Sequence, residues 1–140
     1  MKKIIPRLVW YRPLEPFGYA FIRMCSGLIF AAHGIDRLFH HPSVREFGSA
    51  ASHLPANLIG GFELAGGIML AVGLFSRPLA LLFAAEWLVI AAAVPVPPGT
   101  SWFALSSTWH YPSMMTAICI AFVMRGGGYY SADRFIGQEV

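Results

Sequence analysis

Four ionisable side chains fall inside stretches that are otherwise apolar or small: Arg23, His33, Glu63 and Glu86. A charge in the hydrocarbon of a membrane costs at least ~2.5–3.5 kcal/mol on insertion scales, so each needs a partner or a task. Counted at ~1.5 Å per residue from the expected span ends, Arg23 and Glu86 reach similar depths from one side. His33 and Glu63 reach a common level from the other side. Two pairs are therefore expected. Arg23 with Glu86 would be a structural ion pair, and His33 with Glu63 a proton-exchanging, catalytic one. Matching depth carries both pairings, and the spacing does not say whether the faces meet. Imidazole titrates near neutrality and can trade a proton with a neighbouring carboxyl. Such a level suits the carbonyls of a quinone, with Phe30, Phe62 and Trp109 as possible flanks for its ring.

Other chemistries have thinner support. His33 and His110 reach similar depths on the first and last spans, as axial haem ligands would, and this is the weaker cofactor expectation. His40, His41 and Asp36 lack the i, i+4 or Cys-x2-Cys order of a metal site, so no metal is expected. Cys25 and Cys119 fall near the middle of different spans and read as small buried residues, with a redox disulfide as the alternative. The sequence holds no nucleotide fingerprint and no Ser/His/Asp arrangement. Gly126 to Gly128 follows a helix and reads as its stop.

The elements that must hold these residues are helices. Asn57 to Phe75 carries Glu63 as its one ionisable residue, and Leu79 to Val94 carries only Glu86. Ser76, Arg77 and Pro78 join the two runs, which makes a transmembrane hairpin. Over 140 residues the chain is 56% hydrophobic and 12% charged, with a mean hydropathy of +0.59. A soluble domain of this size would have too little polar surface to cover itself. The expected fold is all-α: a four-helix transmembrane bundle with spans at about 17–39, 57–75, 78–94 and 110–124. A segment 1–16 precedes the membrane domain 17–134, and a tail 135–140 follows it. Arg23 interrupts the first apolar run, and the run begins too far from Met1 for a secretory signal peptide. The net charge of +3 sits at helix ends rather than on one patch, which argues against nucleic acid as a partner. Basic residues cluster in the N-terminal segment, at Arg77 and at Arg125 and Arg134. That bias places both termini in the cytoplasm and the 40–56 and 95–111 loops outside.

Two helix faces are also legible. Arg23, Gly27, Phe30, Gly34 and Arg37 recur at spacings of four, three, four and three, on one stripe. Gly60, Glu63 and Gly67 repeat in the same way on the second span. Small residues let helix backbones approach, so the two stripes are expected to face each other.

These residues resemble a known family. Arg23-x3-Gly27-x2-Phe30-x2-His33-Gly34-x3-Leu38 resembles the first-helix signature of the DoxX family of small four-helix membrane proteins. Glu63-x2-Gly66-Gly67-x2-Leu70-x2-Gly73-Leu74-x2-Arg77-x2-Ala80 resembles its second helix and turn. Gly126-Gly127-Gly128-Tyr129-Tyr130-Ser131-Ala132-Asp133 resembles its glycine-rich ending. Asp36-Arg37 departs from the family's more usual pattern, and the 95–111 loop finds no match. The resemblance implies a multi-pass protein of a prokaryotic inner membrane. Some relatives are described as the membrane subunit of a thiosulfate:quinone oxidoreductase, and others as partners of redox-defence enzymes. The expected role is thus an accessory or quinone-interacting subunit of a membrane oxidoreductase, in contact with the lipid bilayer and with a protein partner or further copies of itself. Two alternatives stay open. One is a transporter of a proton or small solute; the other is a scaffold that binds partners through Trp102, Phe103 and Trp109.

Overall fold

The computed structural model describes residues 12–39, 56–93 and 109–137. Most of the 1–16 segment and of both long loops, with His40, His41, Trp102 and Phe103, lies outside the described residues. Helix α1 spans Glu15–Phe39 after a 3-10 turn at Arg12–Leu14. Helix α2 spans Ala56–Val72, α3 Ser76–Ala93, α4 His110–Arg125 and the short α5 Ala132–Ile136. Among the described residues there is no strand, and the all-α bundle is the fold the chain adopts. At ~1.5 Å per residue α1 is about 37 Å long and α3 about 27 Å. Both are long and apolar enough to cross a membrane, and α2 is a shorter apolar helix.

The outside of the bundle is apolar. Phe17, Phe21, Leu28, Leu58, Leu81 and Leu88 are exposed, while Arg23, Arg37, Glu63 and Asp133 are buried. Water-soluble proteins invert this arrangement, and a helical bundle surrounded by lipid shows it.

Helix α2 ends three residues before the expected Phe75 because Gly73 turns the chain with φ 79°. Gly73 N–H donates to Leu70 O at 3.0 Å and Leu74 N–H to Met69 O at 2.8 Å. This paired closure needs a left-handed residue just past the helix, and glycine takes that conformation without a Cβ clash.

The glycine stripes do face each other. A Cβ on Gly27 would lie 2.5 Å from both Ala71 N and Gly67 O, and one on Gly67 would lie 2.5 Å from Ala31 N. Gly34 stands equally close to Leu64 N and Gly60 O. Backbone therefore meets backbone along most of α1 and α2. Helix α3 closes the bundle through aromatic contacts instead: Phe83 stacks on Phe30 at 4.3 Å and meets Phe62 at 5.0 Å. Leu79, Trp87, Met115, Cys119 and Phe122 complete the core between α3 and α4.

Gly27→Ala should lower the thermal midpoint in detergent by an amount equivalent to about 1–3 kcal/mol, the usual penalty for overpacking. Gly18→Ala is the control, since nothing lies within 4 Å of a Cβ there, and it should leave the midpoint unchanged or slightly raised.

Candidate functional site

Helix α1 carries a buried arginine towards each end. Arg23 and Arg37 are fourteen residues apart on one stripe, about 21 Å along the axis. Each organises a separate cluster.

Arg37 gathers the acids. Its Nη1 lies 2.9 Å from Glu63 Oε1 and 3.3 Å from Glu86 Oε1. All three side chains are nearly out of reach of solvent, at 11%, 1% and 10% exposure. One guanidinium thus joins α1, α2 and α3. A planar fork of five N–H donors can serve two carboxylates at once, which a lysine would do less well.

The expected pair of Arg23 with Glu86 is corrected accordingly: Glu86 bonds Arg37, and Arg23 turns the other way. Helix α1 overhangs the α2–α3 turn by about two helical turns, so equal residue counts from the two starts are not equal depths. Arg23 lies level with that turn. There its guanidinium donates to the carbonyls of Gly127 and Tyr130, the latter at 2.7 Å, and reaches Ala71 O at 3.5 Å. These carbonyls belong to a helix end and a loop, which leave acceptors without intrahelical partners.

His33, expected beside Glu63, has Tyr111 and Trp87 as neighbours. Its Nε2 lies 3.1 Å from Tyr111 Oη, and its ring meets Trp87 edge-on at 5.3 Å. Tyr111 packs on the same tryptophan at 5.3 Å. Trp87 is 4% exposed, and its Nε1–H has no acceptor among the described residues. His33 and Arg37 are one turn apart on α1, and Trp87 follows Glu86 on α3. The imidazole–phenol–indole group therefore adjoins the Arg37 cluster.

The residues expected to flank a ring fare differently. Phe30 is fully buried between helices and stacked on Phe83, so it offers no face to a ligand. Phe62 packs against the same core, and Trp109 lies over His110 at 4.3 Å. Burial by α3 is the physical reason: the stripe that bears Phe30 points into the bundle. The aromatic surface beside His33 is offered by Tyr111, with Trp87 buried behind it. The two cysteines are free thiols, Cys25 partly buried and Cys119 buried.

Sequence reasoning missed three residues. Arg37 was visible as the fifth member of the α1 stripe. Tyr111 carried no signal beyond following His110. Asp133 was visible only within the glycine-rich ending. Its two carboxylate oxygens accept from Phe75 N–H at 2.7 Å and Ser76 N–H at 3.0 Å, capping α3 from the far end of the chain. Its own N–H donates to Gly73 O at 3.0 Å. Tyr19 Oη adds a bond to Gly126 O. The ending is thus clasped to the α2–α3 turn.

Residues 18–96 match the DoxX family. An uncharacterized protein of Haemophilus influenzae is 26% identical over 121 residues, which cover 85% of this chain and 90% of that protein. No solved structure matches.

Asp133→Ala removes the acceptors for two backbone N–H groups. Hydrogen exchange at Phe75 and Ser76 should accelerate by at least about tenfold, in line with the ~1–2 kcal/mol of a helix cap. Exchange at the centre of α2 should stay as it is in the unaltered protein.

Proposed function

The chain belongs to the DoxX family and is a membrane protein, and from that premise we propose that it is a quinone-interacting or accessory subunit of a membrane-associated oxidoreductase. The observation that carries the reading is the hydrogen-bonding group on the α1–α3–α4 side of the bundle. His33 is half-buried, Tyr111 is 38% exposed, and Trp87 presents a buried N–H in need of an acceptor. Buried N–H groups without partners are rare and call for an explanation. A carbonyl-bearing ring that dissolves in lipid supplies acceptors of the right kind, so the donor set fits a quinone. When bound, a quinone supplies two-electron chemistry coupled to two protons.

The chain's own residues would do the rest. Tyr111 Oη and His33 Nε2 hold a proton between them at a surface the lipid can reach. Tyr111, the exposed aromatic of the group, orients a flat ring by its face, with the buried Trp87 packed behind it. Behind them, Glu63 and Glu86 share Arg37 and can hold a proton one turn from His33. Arg23 takes no part in this chemistry and keeps the opposite end of the bundle closed.

The same reading places the protein in a prokaryotic inner membrane with a redox enzyme as its partner. It assigns the end that carries Arg77, Arg125 and Arg134 to the cytoplasm, because basic residues are retained on that side.

The test is binding first and turnover second. Added decylubiquinone should quench the tryptophan fluorescence of the detergent-purified chain in a saturable way. Tyr111→Phe and His33→Ala should each weaken that response by about tenfold, the loss of one good hydrogen bond. In membranes containing the partner, Glu63→Gln should slow quinone-dependent electron transfer by ~10²-fold without altering assembly. Unchanged quenching in both binding variants, or full activity of Glu63→Gln, contradicts the proposal.

A further inference from the structure

The opposite end of the bundle holds a second polar site that the quinone reading does not use. Arg77, Arg125, Gly126, Gly127, Gly128, Ser131 and Asp133 line a cavity of about 70 Å³, room for a tetrahedral oxyanion. Two of its walls are guanidinium groups. Arg77 is exposed, with neither an ion-pair nor a hydrogen-bond partner among the described residues, and its Nε lies 3.0 Å from where a Cβ on Gly126 would stand. Arg125 bonds Glu15 at 2.8 Å, but both side chains are about half exposed, and such pairs exchange readily for a stronger partner.

The remaining lining favours an anion as well. The N–H groups of Gly127 and Gly128 have no acceptor among the described residues. Successive glycine N–H groups form concavities that receive oxyanions. Behind the lining, and not part of it, the Ser76 hydroxyl is buried without a hydrogen-bond partner, 3.0 Å from where a Cβ on Gly127 would stand. Asp133 brings the one carboxylate, and both of its oxygens are committed to Phe75 N–H and Ser76 N–H. Its charge is thereby turned into the start of α3.

We propose that this cavity binds a phosphate group, with Arg77 and Arg125 as its cationic ligands and the Gly127–Gly128 backbone as its cradle. The rim identifies the setting. Phe17, Phe75, Tyr129, Tyr130, Phe135 and Ile136 are all exposed around this end, the last two at 92% and 62%. Tyrosine and other aromatic side chains of this kind settle at the boundary between hydrocarbon and water. That boundary is where phospholipid phosphates lie, and free phosphate reaches the same place from the aqueous side. The site rests on its own observations and stands whether or not a quinone binds near His33.

The experiment uses the full chain in detergent and follows its thermal midpoint and its native mass spectrum. One arm adds phosphatidylglycerol and the other adds inorganic phosphate. Binding in either arm is expected, and a response to the lipid alone identifies a headgroup site. Arg77→Gln and Arg125→Gln should each weaken the response by about tenfold, the usual value of one charge-assisted contact. Arg134→Gln, whose guanidinium packs over Tyr129 at 3.9 Å rather than in the cavity, should respond as the unaltered protein does. Both arginines are exposed, so both variants should fold. Two outcomes overturn the proposal: no response in either arm, or a response that Arg125→Gln and Arg77→Gln both preserve.

Discussion

No charge can stand unanswered inside a membrane bundle, and this protein meets that constraint with one guanidinium for two carboxylates. Arg37 of α1 reaches Glu63 of α2 and Glu86 of α3. Removing one member of such a buried group strands the others in a low dielectric, at a cost of about 3–5 kcal/mol. The contact therefore fixes how three helices are rotated about their axes, a quantity that lipid-facing apolar surface leaves undetermined. The glycine stripes act on the same face. Gly27, Gly34, Gly60 and Gly67 bring the α1 and α2 backbones into contact, and that approach puts Arg37 within bonding distance of Glu63. Close packing and charge pairing are two consequences of one stripe.

The second arginine of that stripe solves a different problem. A helical hairpin leaves carbonyls at the end of α2 and N–H groups at the start of α3 without intrahelical partners. Arg23 takes up the carbonyls together with those of the glycine-rich ending, and Asp133 takes up the N–H groups. The chain's last turn is thus part of the fold. With one end closed in this way and the other tied by Arg37, the helices between them form a rigid frame. His33, Trp87 and Tyr111 are held on three different elements of it, which gives a hydrogen-bonding surface of fixed shape.

Much of this was legible in the sequence. Spacings of three and four along α1 and α2 revealed the facing stripes, because helical period alone determines which residues share a face. The apolar runs around Glu63 and Glu86 marked the hairpin, and the order of three motifs marked the family. The pairing of charges was not legible. Residue counting estimates height along a span, but α1 overhangs the α2–α3 turn, so Arg23 and Glu86 were assigned a common level that they do not share. Arg37 had no part in that count, although its stripe already directed it towards the helix that carries Glu63. Tyr111 and Asp133 act through contacts across more than fifty residues of chain, and no local pattern encodes those.

Double-mutant cycles test the central claim most directly, with Arg37 paired in turn with Glu63 and Glu86, and Arg23 paired with Glu86. Stability would be followed by reversible unfolding in detergent, with Arg→Met and Glu→Gln as the single changes. Coupling of ~1–3 kcal/mol is predicted for both Arg37 cycles, and additivity within ~0.5 kcal/mol for Arg23 with Glu86. Additive Arg37 cycles, or strong coupling between Arg23 and Glu86, would contradict the account.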